Sequence, residues 1–296
     1  MVPLQFLILA GPTASGKSEL AVRIAEQLHT EIVGADAYQI YQGFDILSGK
    51  PDPSLLARVP HHLIGVLASA EDSDAARYAG LATNIIEKLN ARGHIPLVVG
   101  GTGFYLKGLT HPLPDLPGRN PDLRAEFASK PVSLLLAELR QRDPVTFDRV
   151  DRQNRRRVER ALEVCRLTGR PFSSFDRSTA NVKFFALWLN WPRDELYTRV
   201  DFRVDRMLKT GAIEEVVAAG PTGTTASQMI GLAEIRQYLR NKITLAQCAE
   251  AMKTATRRYA KRQVSWFRAQ PYMPIAPDLP LAAIVELYRG AVIDNR

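Results

Sequence analysis

Short apolar runs alternate with amphipathic stretches through the first hundred residues. Leu4-Gln5-Phe6-Leu7-Ile8-Leu9 is almost unbroken in its apolar character, the pattern of a strand covered on both faces. Glu19 to Leu28 has helical spacing. Glu31-Ile32-Val33-Gly34-Ala35-Asp36 is a second short strand ending in an acid, followed by a loop or short helix over 37–45 and a loop over 46–53 that holds Gly49, Lys50, Pro51 and Pro53. His61 to Val66 is a third strand. Asp74 to Arg92 places Ala75, Ala79, Ala82, Ile85, Ile86 and Leu89 on one helical face, with Gly93 as its stop. Ile95 to Gly101 is another buried strand. Strands that alternate with helices predict a parallel sheet covered on both sides, with its ligand site at the carboxyl ends of the strands.

The pattern changes near residue 112. Pro112, Pro114, Pro117, Gly118 and Pro121 mark a linker, and Leu123 to Arg170 is helical and rich in Arg and Glu. Phe184 to Leu189 returns to strand character before Asn190-Trp191-Pro192-Arg193. Helices are predicted after it at about 194–218, 226–240, 244–268 and 280–290. The expected domains are a core of residues 1–118 and 183–296 and an all-helical insertion of 119–182.

Composition narrows the partners. In 296 residues, 39 Lys and Arg stand against 31 Asp and Glu, a formal charge of +8 with a pI near 9.6, which points to a polyanion such as nucleic acid. Cys165 and Cys248 lie far apart, which argues against a disulfide framework or a cysteine zinc site. No apolar run reaches 18 residues, so no membrane partner is expected, and Phe6 to Ala10 is a core strand rather than a leader. The expectation is a cytoplasmic protein.

Residues 11–18, Gly11-Pro12-Thr13-Ala14-Ser15-Gly16-Lys17-Ser18, fit the phosphate-loop pattern between a strand and a helix. Backbone N–H groups in such a loop point at phosphate oxygens, the lysine adds positive charge, and the Ser18 hydroxyl is a magnesium ligand. The fold class is therefore α/β, a P-loop NTPase-like parallel sheet covered by helices, and the chain is placed among nucleotide-binding, including ATP-binding, proteins. Asp36 at a strand end could support magnesium through water, take a proton from a nucleophile, or simply cap the loop. The strand 95–101 ends in Gly100-Gly101-Thr102-Gly103 instead of an acid, which weakens an ATP-hydrolysing reading. That turn either admits a substrate close to the backbone or caps the next helix. Two basic stretches, Asp151 to Arg160 and Thr256 to Arg268, suit RNA phosphates and bases; the plainer alternative for each is an ion-paired amphipathic helix, with Glu159 and Glu163 as partners in the first.

With these motifs the chain resembles the tRNA dimethylallyltransferase (tRNA isopentenyltransferase) family, bacterial type. The resemblance rests on residues 11–18, Gly34-Ala35-Asp36 with Gln39-Ile40-Tyr41, Pro60-His61-His62-Leu63, Val99-Gly100-Gly101-Thr102 with Tyr105, Asp151 with Asn154-Arg155-Arg156, Arg160-Ala161-Leu162-Glu163-Val164, and Ala255-Thr256-Arg257-Arg258 with Ala260-Lys261-Arg262-Gln263. It implies transfer of a dimethylallyl group from dimethylallyl diphosphate to the N6 amine of the adenosine just 3′ of the anticodon, in tRNAs reading U-initial codons, with pyrophosphate released. It further implies a monomer using Mg2+, with the tRNA anticodon stem-loop as partner. Lys17, Ser18 and Asp36 would be catalytic, and Gly11 to Ser18 would hold the diphosphate. Asp36, Ala37, Tyr38 and Gln39 would meet the target nucleotide, and Thr102, Arg124, Gln153, Asn154, Arg155, Arg156 and Arg157 would contact tRNA. Ala37 departs from a serine usual in the family, and Leu232 from a tyrosine. A P-loop nucleoside or small-molecule kinase, a prenyltransferase of free adenine nucleotides, and a non-catalytic RNA-binding protein are the competing readings.

Overall fold

In the computed structural model, which describes residues 3–111, 114, 116–175 and 182–293, six parallel strands form one sheet. They are β1 (Leu4–Ala10), β2 (Ile32–Gly34), β3 (His61–His62), β4 (Leu97–Gly100), β5 (Val182–Leu189) and β6 (Met273–Ile275), in the spatial order β3-β2-β4-β1-β5-β6. β1 lies in the middle. Its register places Ala10 beside both Gly100 and Trp188, so the chain segments after β1, β4 and β5 emerge at one edge.

The helices are α1 (Lys17–Leu28), α2 (Pro53–Leu56), α3 (Ala75–Ala91), α4 (Gly103–Thr110), α5 (Pro121–Ala128), α6 (Val132–Arg142), α7 (Pro144–Arg149), α8 (Arg155–Thr168), α9 (Arg193–Lys209), α10 (Ala212–Ala218), α11 (Leu232–Leu239), α12 (Leu245–Arg268) and α13 (Leu281–Ile293). Alternate residues of β1 enter two different cores. Leu7 and Leu9 pack with Val22, Ile24 and Tyr288 under α1 and α13, while Phe6 and Ile8 pack with Tyr78, Leu106 and Phe267 under α3, α4 and α12. Burial on both faces is why the strand is apolar without a break.

The chain divides into two compact units, Met1–Thr110 with Asn181–Arg296, and His111–Ala180. The first contains the sheet. The second contains α5 to α8 around Phe127, Leu135, Leu139, Val158, Ala161 and Leu162. Within it, buried Glu163 accepts hydrogen bonds from Asn120 N, Arg124 Nε and Arg160 Nη1, and buried Asp143 takes N–H and O–H donors from both Thr146 and Ser173. The linker proline Pro112 and residues 176–181 lie outside the described residues; Val182 already belongs to β5.

Several element expectations are corrected. The stretch 194–218 is not one helix, because Gly211 adopts φ 118° and turns α10 away from α9. The stretch 226–240 becomes a short turn, Ala226–Gln228, and then α11 behind Gly231 at φ 98°. The third strand shrinks to His61–His62, since Leu63 and Gly65 both take positive φ, 60° and 61°. Edge strand β6, Met-Pro-Ile, carries a proline and two exposed residues, so it lacks a strand pattern in the sequence.

Candidate active site

β1 ends at Ala10 and α1 starts at Lys17, so residues 11–16 form the loop between them. Ala14 and Gly16 take φ values of 62° and 82°, and no side chain caps α1. Its first-turn N–H groups therefore face outward as an anion site. The loop is held from distant parts of the chain. Gln263 on α12 accepts from Thr13 N at 2.9 Å and donates to Gly101 O at 2.8 Å. Trp191 Nε1 donates to Ser15 O at 3.0 Å, and Arg199 Nε donates to Ala14 O at 2.8 Å while its guanidinium lies 4.4 Å over the Trp191 ring. Ser15 Oγ is buried without a hydrogen-bond partner among the described residues.

Two cations face one carboxylate here. Buried Lys17 donates to Pro12 O at 3.3 Å, and burial lowers its pKa to about 8, with Asp36 acting against the shift and Arg203 adding to it. Arg203 on α9 donates to Gly49 O at 3.4 Å, its one hydrogen bond among the described residues; burial also lowers its pKa, against the pull of Asp36. Both cations are thus under-compensated in the free protein, the condition a diphosphate would relieve. The lysine gives a pH prediction. Unfolded, it holds its proton up to about 10.5, so above pH 8 the unfolded chain binds more protons and the burial penalty fades. Wild type should therefore gain about 1–2 kcal/mol on Lys17→Met between pH 8 and 9.5, measured by denaturant unfolding without ligand.

Asp36 is set by a local turn. Its Oδ1 accepts from Tyr38 N at 2.9 Å and Gln39 N at 3.3 Å, which leaves Oδ2 without a protein partner among the described residues. The Thr102 hydroxyl accepts from Ala37 N at 3.0 Å, and Thr102 N donates to Ala35 O at 3.2 Å. Tyr38 donates through its hydroxyl to Gln228 O, and burial with Asp36 nearby pushes its pKa up to about 12. Gln39 Nε2 donates to Gly49 O at 2.8 Å. The phosphate loop, Asp36 and Gln39 line a single cleft of about 1000 Å³ with Arg203, Tyr259 and an apolar wall that includes Met207 and Met252.

The glycines from the end of β4 onward make room for the protein's own chain. A Cβ on Gly100 would lie 2.0 Å from Ala35 O, one on Gly101 2.3 Å from Gln263 Nε2, and one on Gly103 2.5 Å from Trp266. Gly100→Ala should therefore push β4 off the Asp36 segment and cost roughly 3 kcal/mol, seen as a lowered Tm. In the second basic stretch Phe267 stacks on Trp188 and Trp266 meets Tyr272 edge-on, Arg257 pairs with Asp201 at 2.7 Å, and Arg258, Lys261 and Arg262 stay exposed.

A family model described as IPP transferase matches residues 39–270, and one described as isopentenyl transferase matches residues 4–62. This chain belongs to the IPP transferase family. It is 43% identical to tRNA dimethylallyltransferase 1 of Citrifermentans bemidjiense over 89% of each chain. With tRNA dimethylallyltransferase of Akkermansia muciniphila it shares 39% identity over 93% of this chain and 94% of that one. The crystal structure of the full-length tRNA isopentenylpyrophosphate transferase from Bacillus halodurans superposes with a TM-score of 0.74 at 31% identity, covering 98% and 97% of the two chains. A eukaryotic dimethylallyltransferase acting on tRNA gives a TM-score of 0.83 at 28% identity, covering 98% of this chain and 80% of the other.

In this IPP transferase the residues expected to meet RNA fall in both units. Asp36, Ala37, Tyr38, Gln39 and Thr102 lie in the sheet unit, and Arg124 and Gln153 to Arg157 lie in the helical one. Arg124 is engaged with Glu163 at 2.9 Å, and Arg155 with Glu159 at 2.7 Å and with Phe127 O and Lys130 O. Asn154 caps α8 through Arg157 N, while the side chains of Gln153, Arg156 and Arg157 are exposed. Sequence reasoning missed Arg199, Arg203 and Gln263. The signal for the first two was their spacing of four on α9, which puts both on one helical face.

Proposed function

We propose that this chain transfers a dimethylallyl group from dimethylallyl diphosphate to the N6 amine of the adenosine 3′ of the anticodon, in tRNAs reading U-initial codons. The observation that carries this reading is the pairing of a phosphate loop with Asp36, whose Oδ2 carries no protein hydrogen bond among the described residues, beside Lys17 and Arg203. Family membership across nearly the whole chain supports it.

Thr13 to Ser18, through the loop N–H groups not already donated to Gln263 and Pro12 O, bind the diphosphate with Lys17 and Arg203 and neutralise the charge that grows on it as the allylic C–O bond breaks. N6 attacks the freed carbon, the new N–C bond forms, and the amine proton passes to Asp36. Pyrophosphate leaves; no phosphoryl group moves. The adenine must leave its stack to reach Asp36, with Ala37, Tyr38 and Gln39 around it. Ser18 at the head of α1 presents a hydroxyl to the cleft, an oxygen donor of the kind magnesium takes, and would hold Mg2+ together with diphosphate oxygens and water. Bound there, it would add leaving-group charge stabilisation. Thr102, Arg124 and Gln153 to Arg157 would contact the anticodon stem-loop, in a monomeric enzyme of the cytoplasm. No helix among the described residues is long and apolar enough to cross a membrane.

The test supplies labelled dimethylallyl diphosphate with magnesium and either tRNA or AMP. Label in tRNA alone supports the proposal. Label in AMP contradicts the acceptor, and consumption of ATP in a parallel tube without transfer would mean a kinase.

A further inference from the structure

The loop between Phe44 and Lys50 lines the cleft but has no strand or helix of its own to hold it. It is a tight turn in which Ser48 N donates to Phe44 O, Gly49 N to Ile46 O and Lys50 N to Asp45 O. The N–H groups of Ile46 and Leu47 stand at the start of that turn and have no acceptor within it. Glu215 of α10 takes both, through Oε1 at 2.8 Å from Ile46 N and Oε2 at 2.9 Å from Leu47 N. The same turn presents Gly49 O to Gln39 Nε2 and to Arg203. Gln39 N in turn donates to Asp36 Oδ1. A continuous set of bonds therefore runs from α10 to the groups that face the diphosphate.

The chain is bent to make this contact. Gly211 breaks the α9–α10 helical run at φ 118°, and a Cβ there would meet the Ile46 side chain at 3.1 Å. A carboxylate accepting two successive backbone N–H groups is a strong, directional anchor.

We propose that Glu215 is a positioning residue: by clamping Ile46 and Leu47 it sets Gly49 O, and through it Arg203, for diphosphate binding. The inference rests on the diphosphate reading of the cleft. Outer partners of this kind typically change affinity by about 10- to 100-fold when removed. Glu215→Ala should weaken binding of inorganic pyrophosphate with magnesium about tenfold by calorimetry. Glu215→Gln, which keeps one acceptor oxygen and the shape, should weaken it about threefold. The Kd for tRNA should stay within about twofold in both. Hydrogen exchange should accelerate at Ile46 and Leu47 and not across the sheet.

Unchanged pyrophosphate affinity in Glu215→Ala overturns the proposal, whether or not the two amides exchange faster. A parallel loss of pyrophosphate and tRNA affinity with a lowered Tm also overturns it, because the residue would then be only structural. If Glu215→Ala does not fold, the threefold effect of Glu215→Gln decides the matter alone. Wild type that fails to bind pyrophosphate would instead sink the diphosphate reading itself, and the inference with it.

Discussion

Asp36→Asn is expected to lower prenyl transfer by roughly 10²- to 10⁴-fold, the range for removing a positioned general base. The substitution is close to isosteric, and an amide oxygen can still accept from Tyr38 N and Gln39 N, the two bonds that Oδ1 makes. The turn should therefore survive, and with it the placement of Ala37 against Thr102. What is lost is the proton acceptor and a negative charge beside Lys17 and Arg203. tRNA affinity should hold within a fewfold, and pyrophosphate should bind no more weakly, since one like charge near it is gone. The check is single-turnover transfer together with separate Kd values for tRNA and pyrophosphate. A variant that transfers at near wild-type rate would remove Asp36 from the chemistry.

Lys17→Ala should act on the other substrate. A hydrogen-bonded charge contributes about 1.5–3 kcal/mol, so pyrophosphate affinity should fall by roughly 10- to 100-fold, tRNA affinity staying as it was. The free protein should be no less stable than wild type at pH 7. Lys17 is buried with a single long bond to Pro12 O, and removing an under-compensated charge relieves a desolvation cost. Tightly bound pyrophosphate in the variant would mean that the loop N–H groups and Arg203 suffice. A sharp fall in Tm would mean that Lys17 holds the loop together.

How much of this was legible depended on distance along the chain. β1, the phosphate loop and α1 are contiguous, and β1 carries its two-faced burial in its own composition, so that unit could be read locally. The same is true of Asp36, placed at a strand end by the pattern before it. The supports of the loop could not be read this way. Gln263 lies 250 residues from Thr13, and Arg199 lies 185 from Ala14; each has its role only because α12 and α9 are laid against the loop. Gly211 looked like an interior residue of a long amphipathic run, although its positive φ is what brings α10 to the turn at Ile46. Why the Gly100-Gly101-Thr102-Gly103 turn takes glycines is likewise not local: the Ala35 carbonyl and the Gln263 and Trp266 side chains, from distant parts of the chain, fill the space a Cβ would need. In the helical unit, the pairing of Arg155 with Glu159 and of Arg160 with Glu163 follows the ion-paired alternative that the spacing of charges had allowed.

The central claim is that a phosphate loop here holds a leaving group and moves no phosphate. The most direct measurement follows phosphorus and adenosine together, by phosphorus NMR and mass analysis of the tRNA, after incubation with dimethylallyl diphosphate, magnesium and ATP. One inorganic pyrophosphate released for each adenosine alkylated, with ATP unchanged, is the predicted result. Phosphate transferred from ATP to any acceptor, with the tRNA unmodified, would contradict it.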